Sequence, residues 1–391
     1  MKGWDSIFKE LEGRQKDSVE QQKCKIHEVI NGEYIPGESG DVFYSEASFE
    51  LGSKFGDYTV EIPMIAEVIL LKEKIPRDIP INKYLFIDTE STGLNTGGGS
   101  YAILLGAGCF QGDRFVVKRW FLPDPASELT MLMEIKLLFD EYDLIISYNG
   151  KSYDMNLLQS RYDYHGINYR IKEKHQLDLL HLVRRFWKGK LSDCSLQTIE
   201  RDILHYERDV DDEIPGWKIP WAYFNYLETG NPDDIVKIHE HNTIDILSMP
   251  VVMDYLCRIM ANPDESDEHL LPCSRYYEHA GMRDKAVDLL ESYTSTETNE
   301  KESLRLANLY KRNNDYAEAV SIWKKLACQN NLTALEELAK YEEHRNRNNS
   351  LAMEYTNKAL DYLHSLPFND LLPLRSWQKR KNRLANKLDK S

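Results

Sequence analysis

From Lys83 onward the chain alternates short apolar runs with helical stretches in an order that leaves few folds open. Residues 83–88 (KYLFID), 101–110 (YAILLGAGCF) and 114–122 (RFVVKRWFL) read as β-strands, the last two joined by the turn Gln111-Gly112-Asp113. Leu129, Leu132, Ile135 and Leu138 give residues 127–140 the spacing of an amphipathic helix. A fourth apolar run, 143–148 (DLIISY), predicts a strand buried on both faces. A helix over 152–164 follows, then a fifth strand near 175–180, and a long helix over about 232–260 closes the segment. The order β-β-β-α-β-α-β is a three-strand meander extended by parallel strands, which predicts an α/β fold with a mixed sheet.

After Asn262 the composition changes, and the rest of the chain reads as helical. Ala286, Ala319 and Ala352 recur at an interval of 33 residues in DKAVDLL, AEAVSIW and LAMEYT, and Tyr277 and Tyr310 share that interval. Small residues at fixed positions let paired helices approach closely, and a period near 34 marks a tetratricopeptide-like array. A non-repeating helical bundle is the plainer reading. The expected organisation is an extension over 1–80, an α/β domain over 81–262 and a helical repeat domain over 263–391. Within the extension, the first twenty residues suggest a helix and DYTVEIP a strand.

Chemistry concentrates at the end of the first of these strands. Strand side chains alternate, so Asp88 and Glu90 of Asp88-Thr89-Glu90 project to one face. Two neighbouring carboxylates are costly unless cations neutralise them, and hard divalent cations favour oxygen ligands. Asp154, in SYNGKSYDMNLL, falls in the first turn of a helix, where it could equally be a helix-dipole partner. Asp245 lies in HEHNTIDILSM with His241 four residues earlier on the same helical face. The run IDTESTGL continues into a glycine-rich stretch, a flexible hairpin or a close approach for a nucleotide, but no Gly-Lys-Ser/Thr makes it a Walker loop. Thr89, Thr92, Gly93, Leu94, Asn149 and Lys190 are the candidate substrate contacts.

With IDTESTGL, SYNGKSYD, LDLLHLVRRFW and HNTID on one segment, residues 80–260 resemble the DEDD exonuclease superfamily, and within it the bacterial YprB-type RNase H-like proteins. The resemblance implies an RNase H-like fold and a 3′–5′ exonuclease hydrolysing phosphodiester bonds of DNA. Two divalent cations, Mg²⁺ or Mn²⁺, would be held by Asp88, Glu90, Asp154 and Asp245. It further implies a tetratricopeptide-like tail, a helicase as protein partner and a DNA-repair setting. The superfamily carries His five residues before the last Asp or Tyr four before it; here Glu240 stands at minus five and His241 at minus four. By that analogy His241 orients or deprotonates the attacking water. An RNA-directed or endonucleolytic enzyme on the same core, or an inactive scaffold recruiting a partner, remain open.

Charge and cysteine usage narrow the setting. With 64 acidic and 49 basic residues the net charge is −15, which argues against a nonspecific DNA coat protein but not against a catalyst with a locally basic groove. The stretch Arg184–Lys190 mixes cations with aromatics, as single-strand grooves do, or is a helix end; residues 375–390 offer phosphate contacts or a capping helix. Six cysteines without a C-x-x-C pair exclude a zinc knuckle, and neither a signal peptide nor a membrane span is evident, so a cytoplasmic location is expected.

Overall fold

The computed structural model describes residues 26–93, 99–209, 213–263, 267–296, 299–366 and 371–389. The helix expected over the first twenty residues lies outside them. The chain divides into two compact units, Met1–Asn262 and Pro263–Ser391.

The first unit is built on a seven-stranded mixed sheet. Its strands are β1 (Glu33–Ile35), β2 (Val42–Glu50), β5 (Tyr84–Ser91), β6 (Ala102–Gln111), β7 (Arg114–Phe121), β8 (Leu144–Ser147) and β9 (His175–Asp178). Their order is β1-β2-β7-β6-β5-β8-β9. The pairs from β1 to β5 are antiparallel, while β8 and β9 add to β5 in parallel. The strands expected from the sequence are present, and the fold is an RNase H-like domain followed by an all-helical region. Two strands of this sheet were not foreseen: β1 and β2 come from the segment before residue 80 and extend the sheet at β7. In DYTVEIP only Tyr58–Thr59 (β4) is strand, paired with Lys54–Phe55 (β3) in a separate ribbon.

Alternation along β5 decides what each face of the sheet receives. Leu85 and Ile87 enter a core shared with Met131, Leu132 and Ile135 of α2 (Glu128–Glu141) and Met155, Leu157 and Leu158 of α3 (Asp154–Tyr164). Helix α1 (Glu67–Glu73) precedes β5. On the other face a core of Phe43, Ile103, Phe121, Tyr223 and Tyr226 packs with Ile235 and Ile238. It brings in α6 (Ile219–Thr229) and the start of α7 (Asp233–Ala261), whereas α4 (Leu179–Trp187) and α5 (Leu196–Asp202) fill the chain between β9 and α6.

Helix α7 lies unusually close to β6, and glycine makes that possible. A Cβ on Gly106 would stand 1.9 Å from Asn242 Oδ1, and one on Gly108 would stand 2.6 Å from Ile246 Cγ2. Both positions therefore surrender a side chain so that the helix can approach the sheet.

In the second unit, α8 (Asp267–His279), α9 (Arg283–Thr296), α10 (Glu300–Arg312), α11 (Tyr316–Cys328), α12 (Leu332–Tyr341), α13 (Asn349–Ser365) and α14 (Leu371–Leu388) follow one another in the chain. Ala286, Ala319 and Ala352 are fully buried on α9, α11 and α13. The basic end of the chain is a helix tied to its own unit: Arg383 Nε donates to Glu343 Oε1 at 2.9 Å and Lys387 Nζ to the same oxygen at 2.8 Å. Among the described residues no helix is long and apolar enough to cross a membrane.

Replacing Gly106 or Gly108 by Ala should lower stability by about 1–3 kcal/mol, the cost of overpacking against the Asn242, Ile246 and Phe115 side chains. Urea unfolding of each variant measures it; a change within about 0.5 kcal/mol, the scatter of neutral surface substitutions, would contradict the close-approach account.

Candidate metal centre

The parity that sends Leu85 and Ile87 into the α2–α3 core sends Asp88 and Glu90 towards α7. The β5–β6 register shifts between Glu90 and Ser91, an irregularity of the kind that re-aims side chains beside active sites. Asp88 stands opposite Gly106, so Asn242 of α7 can reach it: Asn242 Nδ2 donates to Asp88 Oδ2 at 2.9 Å.

Thr89, between the two acids, grips the third. Its N–H donates to Asp154 Oδ1 at 3.0 Å, and its hydroxyl donates to the same oxygen. Asp154 opens α3 and is 7% exposed. The loop before it is held by Asp178 at the end of β9, which accepts from the N–H groups of Asn149 at 2.9 Å, Lys151 at 3.3 Å and Leu180 at 3.1 Å. Asn149 takes a left-handed turn, φ 67°, before Gly150. A Cβ on Gly150 would come within 2.9 Å of Asp154 Oδ2.

Asp245 and His241 come from α7. His241 Nε2 lies 3.5 Å from Asp245 Oδ2 and 3.8 Å from Glu90 Oε1. Glu90, His241 and Asp245 each bring one ligand atom within 4.8 Å of the others, a grouping that could hold a metal ion. The remaining oxygen of Asp245 receives Arg208 Nη2. Arg208 is nearly buried and also holds Glu200, with Nε donating to Oε2 at 2.6 Å and Nη2 to Oε1 at 2.7 Å. Ser248 of α7 donates its hydroxyl to the same Glu200. Beside the site lies a cleft of about 360 Å³, with Arg208, Glu213, His241 and Arg119 among its walls.

One oxygen of each aspartate is thus fixed by a donor: Asp88 by Asn242, Asp154 by Thr89, Asp245 by Arg208. The second oxygen is left for a cation, and such outer partners are what orient metal ligands. The electrostatics ask for one. Burial, then the repulsion of Glu90, Asp245 and Asp154, pushes Asp88 well above the usual carboxylate range. Burial, then the charges of Asp245 and Asp154, pushes Glu90 up to about 8. Burial, opposed by the Thr89 hydroxyl, takes Asp154 up to about 6.

The other residues singled out from the sequence fall elsewhere. The Thr92 hydroxyl accepts from the Tyr101 N–H at 2.9 Å and is buried where β5 turns towards β6, with Gly93 beside it. Leu94 lies outside the described residues. Asn149 is exposed ahead of α3, and Lys190 is exposed on the turn after α4. Phe186 and Trp187, in the stretch read as a single-strand groove or a helix end, are 3% and 6% exposed and belong to the core at the end of α4. His239 is buried against the rings of Phe43 and Phe121, away from the carboxylates' polar partners. Three positioning residues escaped the sequence reading. Asn242 stood in the quoted HNTID and could have been suspected as a polar residue on the sheet-facing stripe, whereas Arg208 and Glu200 carry no local signal.

A carboxyl group whose pKa is raised on folding stabilises the folded state below its unfolded value and ceases to as pH rises through the folded one. For Glu90 that window runs from 4.5 to about 8. In chelator, Glu90→Gln should therefore melt above the wild-type chain at pH 8, with the difference vanishing towards pH 4.5. Mg²⁺ or Mn²⁺ should raise the wild-type melting temperature at pH 8 more than that of the variant. Equal melting curves across the window would show that Glu90 is not held in this repulsive field.

Comparison with known proteins agrees with the architecture. A family model described as the RNase_H superfamily matches residues 85–257, the segment that contains Asp88, Glu90, Asp154 and Asp245. The "Uncharacterized protein YprB" of Bacillus subtilis (strain 168) is 31% identical over 291 residues, covering 71% of this chain and 69% of that protein. Among solved structures, the family B DNA polymerase of the archaeon Pyrobaculum calidifontis aligns with 65% of this chain and 34% of its own length, at 14% identity and a TM-score of 0.36. By the extent of its similarity to YprB and by the family match across its carboxylates, the chain belongs to the YprB-like family of the RNase H superfamily.

Proposed function

We propose that the chain is a two-metal-ion nuclease of the DEDD type, a 3′–5′ exonuclease acting on DNA. The observation that carries this reading is the meeting of carboxylates from β5, α3 and α7, each aspartate with one oxygen pinned and one left over. Asp88, Glu90, Asp154 and Asp245 would hold two divalent cations, Mg²⁺ or Mn²⁺; their all-oxygen donor set suits either. Cations bound there would polarise the phosphoryl oxygens and lower the pKa of a bound water. The choice of DNA and of the 3′ end follows the likeness to DEDD exonucleases. A DNA-repair setting and a helicase partner follow the likeness to YprB-type proteins. The unit after residue 262 is read as a tetratricopeptide-like domain that would receive that partner.

The neighbours of His241 favour one of its two roles. Arg208 Nη1 lies 3.3 Å from His241 Nδ1, and a guanidinium can only donate. A ring that accepts from Arg208 at Nδ1 carries its hydrogen on Nε2, the nitrogen that faces Glu90 and Asp245. A ring in that tautomer presents an N–H that orients water or a phosphate oxygen, and it does not take a proton at Nε2.

Digestion of 5′- and 3′-labelled single- and double-stranded DNA and RNA, with Mg²⁺, Mn²⁺ or chelator, tests the proposal. The expected result is stepwise, metal-dependent loss from the 3′ end of DNA, absent from Asp88→Ala and Asp154→Ala. Internal cuts or a preference for RNA would reassign the substrate. A folded Asp88→Ala chain cleaving at the wild-type rate would remove the carboxylates from the chemistry, and inert wild-type protein would point to a scaffold. Asn242→Ala should cost about 10–100-fold, the usual loss for a residue that orients a metal ligand. His241→Ala should cost about 10²–10³-fold, the usual loss for one donor aimed at the reacting group. His241→Gln, which keeps an N–H donor, should retain more; equal loss in the two would favour the proton-accepting role.

A further inference from the structure

Trp120, Trp187, Trp323 and Trp377 are buried, at most 6% exposed, whereas Trp217 and Trp221 are 78% and 64% exposed. Both stand just before or in the first turn of α6 and line one cleft of about 470 Å³ with Pro215, Lys218 and Lys237. Leaving two indoles in water forgoes the stabilisation their burial would bring, and exposed apolar clusters mark binding surfaces. Lys218 Nζ lies 5.4 Å from the centre of the Trp217 ring.

The cleft shares one lining residue with the cleft beside the carboxylate site. Glu213 lines it and also lines the cleft of Arg208 and His241, its Oε1 3.5 Å from Arg208 Nη1 and 3.9 Å from His241 Nδ1. The cations Lys218 and Lys237 face the acids Glu213 and Asp234 across the lining, so net charge gives this surface little pull on phosphates. What it offers is two flat faces, and a nucleobase is the group that such faces take whatever its sequence.

We propose that Trp217 and Trp221 form a stacking platform for the unpaired bases of a single-stranded nucleic acid whose backbone continues past Glu213 to the carboxylates. This rests on the nuclease reading above. It replaces the role that Phe186 and Trp187, buried in the core, cannot fill. Because stacking rather than charge holds the strand here, the platform's share of affinity should vary little with salt.

The experiment is fluorescence anisotropy of labelled oligothymidylate, oligouridylate and a blunt duplex with the full chain in chelator, where binding is read without cleavage. Trp217→Ala and Trp221→Ala should each weaken oligothymidylate binding about 5- to 100-fold, the range for loss of one stacked base. Trp217→Phe and Trp221→Phe should retain most of it, and duplex binding should change little. Hydrolysis of thymidine 5′-phosphate p-nitrophenyl ester with Mn²⁺, by wild-type and Asp88→Asn chains, reads the carboxylates separately. A wild-type chain that splits the ester but binds oligonucleotide no better than Trp217→Ala/Trp221→Ala overturns the platform and leaves the nuclease reading standing. Tryptophan-dependent binding without ester hydrolysis upholds the platform and overturns the nuclease reading. A tryptophan-dependent dimer in sedimentation, with no oligonucleotide bound, assigns the face to a second copy and overturns the proposal.

Discussion

Carboxylates crowded at one buried strand end repel each other, and the rest of the α/β unit is arranged around that repulsion. Asp88 feels Glu90, Asp245 and Asp154, and burial removes the water that would screen them. The protein answers with fixed donors, Asn242 on α7, the Thr89 amide and hydroxyl on β5, and the Arg208 guanidinium, each holding one aspartate oxygen. Arg208 could not sit there by itself; its charge is shared with Glu200, which Ser248 also supports. The helix that brings Asn242, His241, Asp245 and Ser248 can lie against the sheet only because β6 is bare at Gly106 and Gly108. Electrostatics at the site and packing beneath it are thus one arrangement.

What could be read from the sequence followed from periodicity. Buried strands β5, β6, β7 and β8 are short apolar runs, and α7 has a long repeating stripe, so their places were legible, as was the common face of Asp88 and Glu90. Strand β2, VFYSEASFE, mixes polar and apolar residues because it lies near the sheet's edge with one half exposed, and it was missed. Contacts between residues far apart in the chain leave no local trace. Arg208 reaches Asp245 from a connecting segment, and nothing in HYERD distinguishes it from a surface arginine. Phe186 and Trp187 left two readings open, a nucleic-acid groove or a helix end, because their neighbouring arginines suit both, and they are the buried end of a helix.

The helical unit shows the same limit for charge. Its basic final helix looks in sequence like a phosphate-binding tail, yet Arg380, Arg383 and Lys387 converge on Glu343, a carboxylate with no solvent exposure of its side chain. Several cations around one enclosed anion hold it well ionised, at about 2, and fasten the last helix to its unit. The recurring alanines, by contrast, are each fully buried, on α9, α11 and α13.

Thr89 has a consequence for how the central strand finds its place. Its backbone and hydroxyl point to Asp154 while its two neighbours point the opposite way, so three successive residues answer to different layers. A slip of β5 by one position would turn both acids into the aliphatic layer between sheet and α2–α3, and would aim an alcohol at α7. Misalignment is thereby penalised by ionic charge as well as by lost apolar contact. The tripeptide that carries two of the carboxylates also acts as a detent for the sheet.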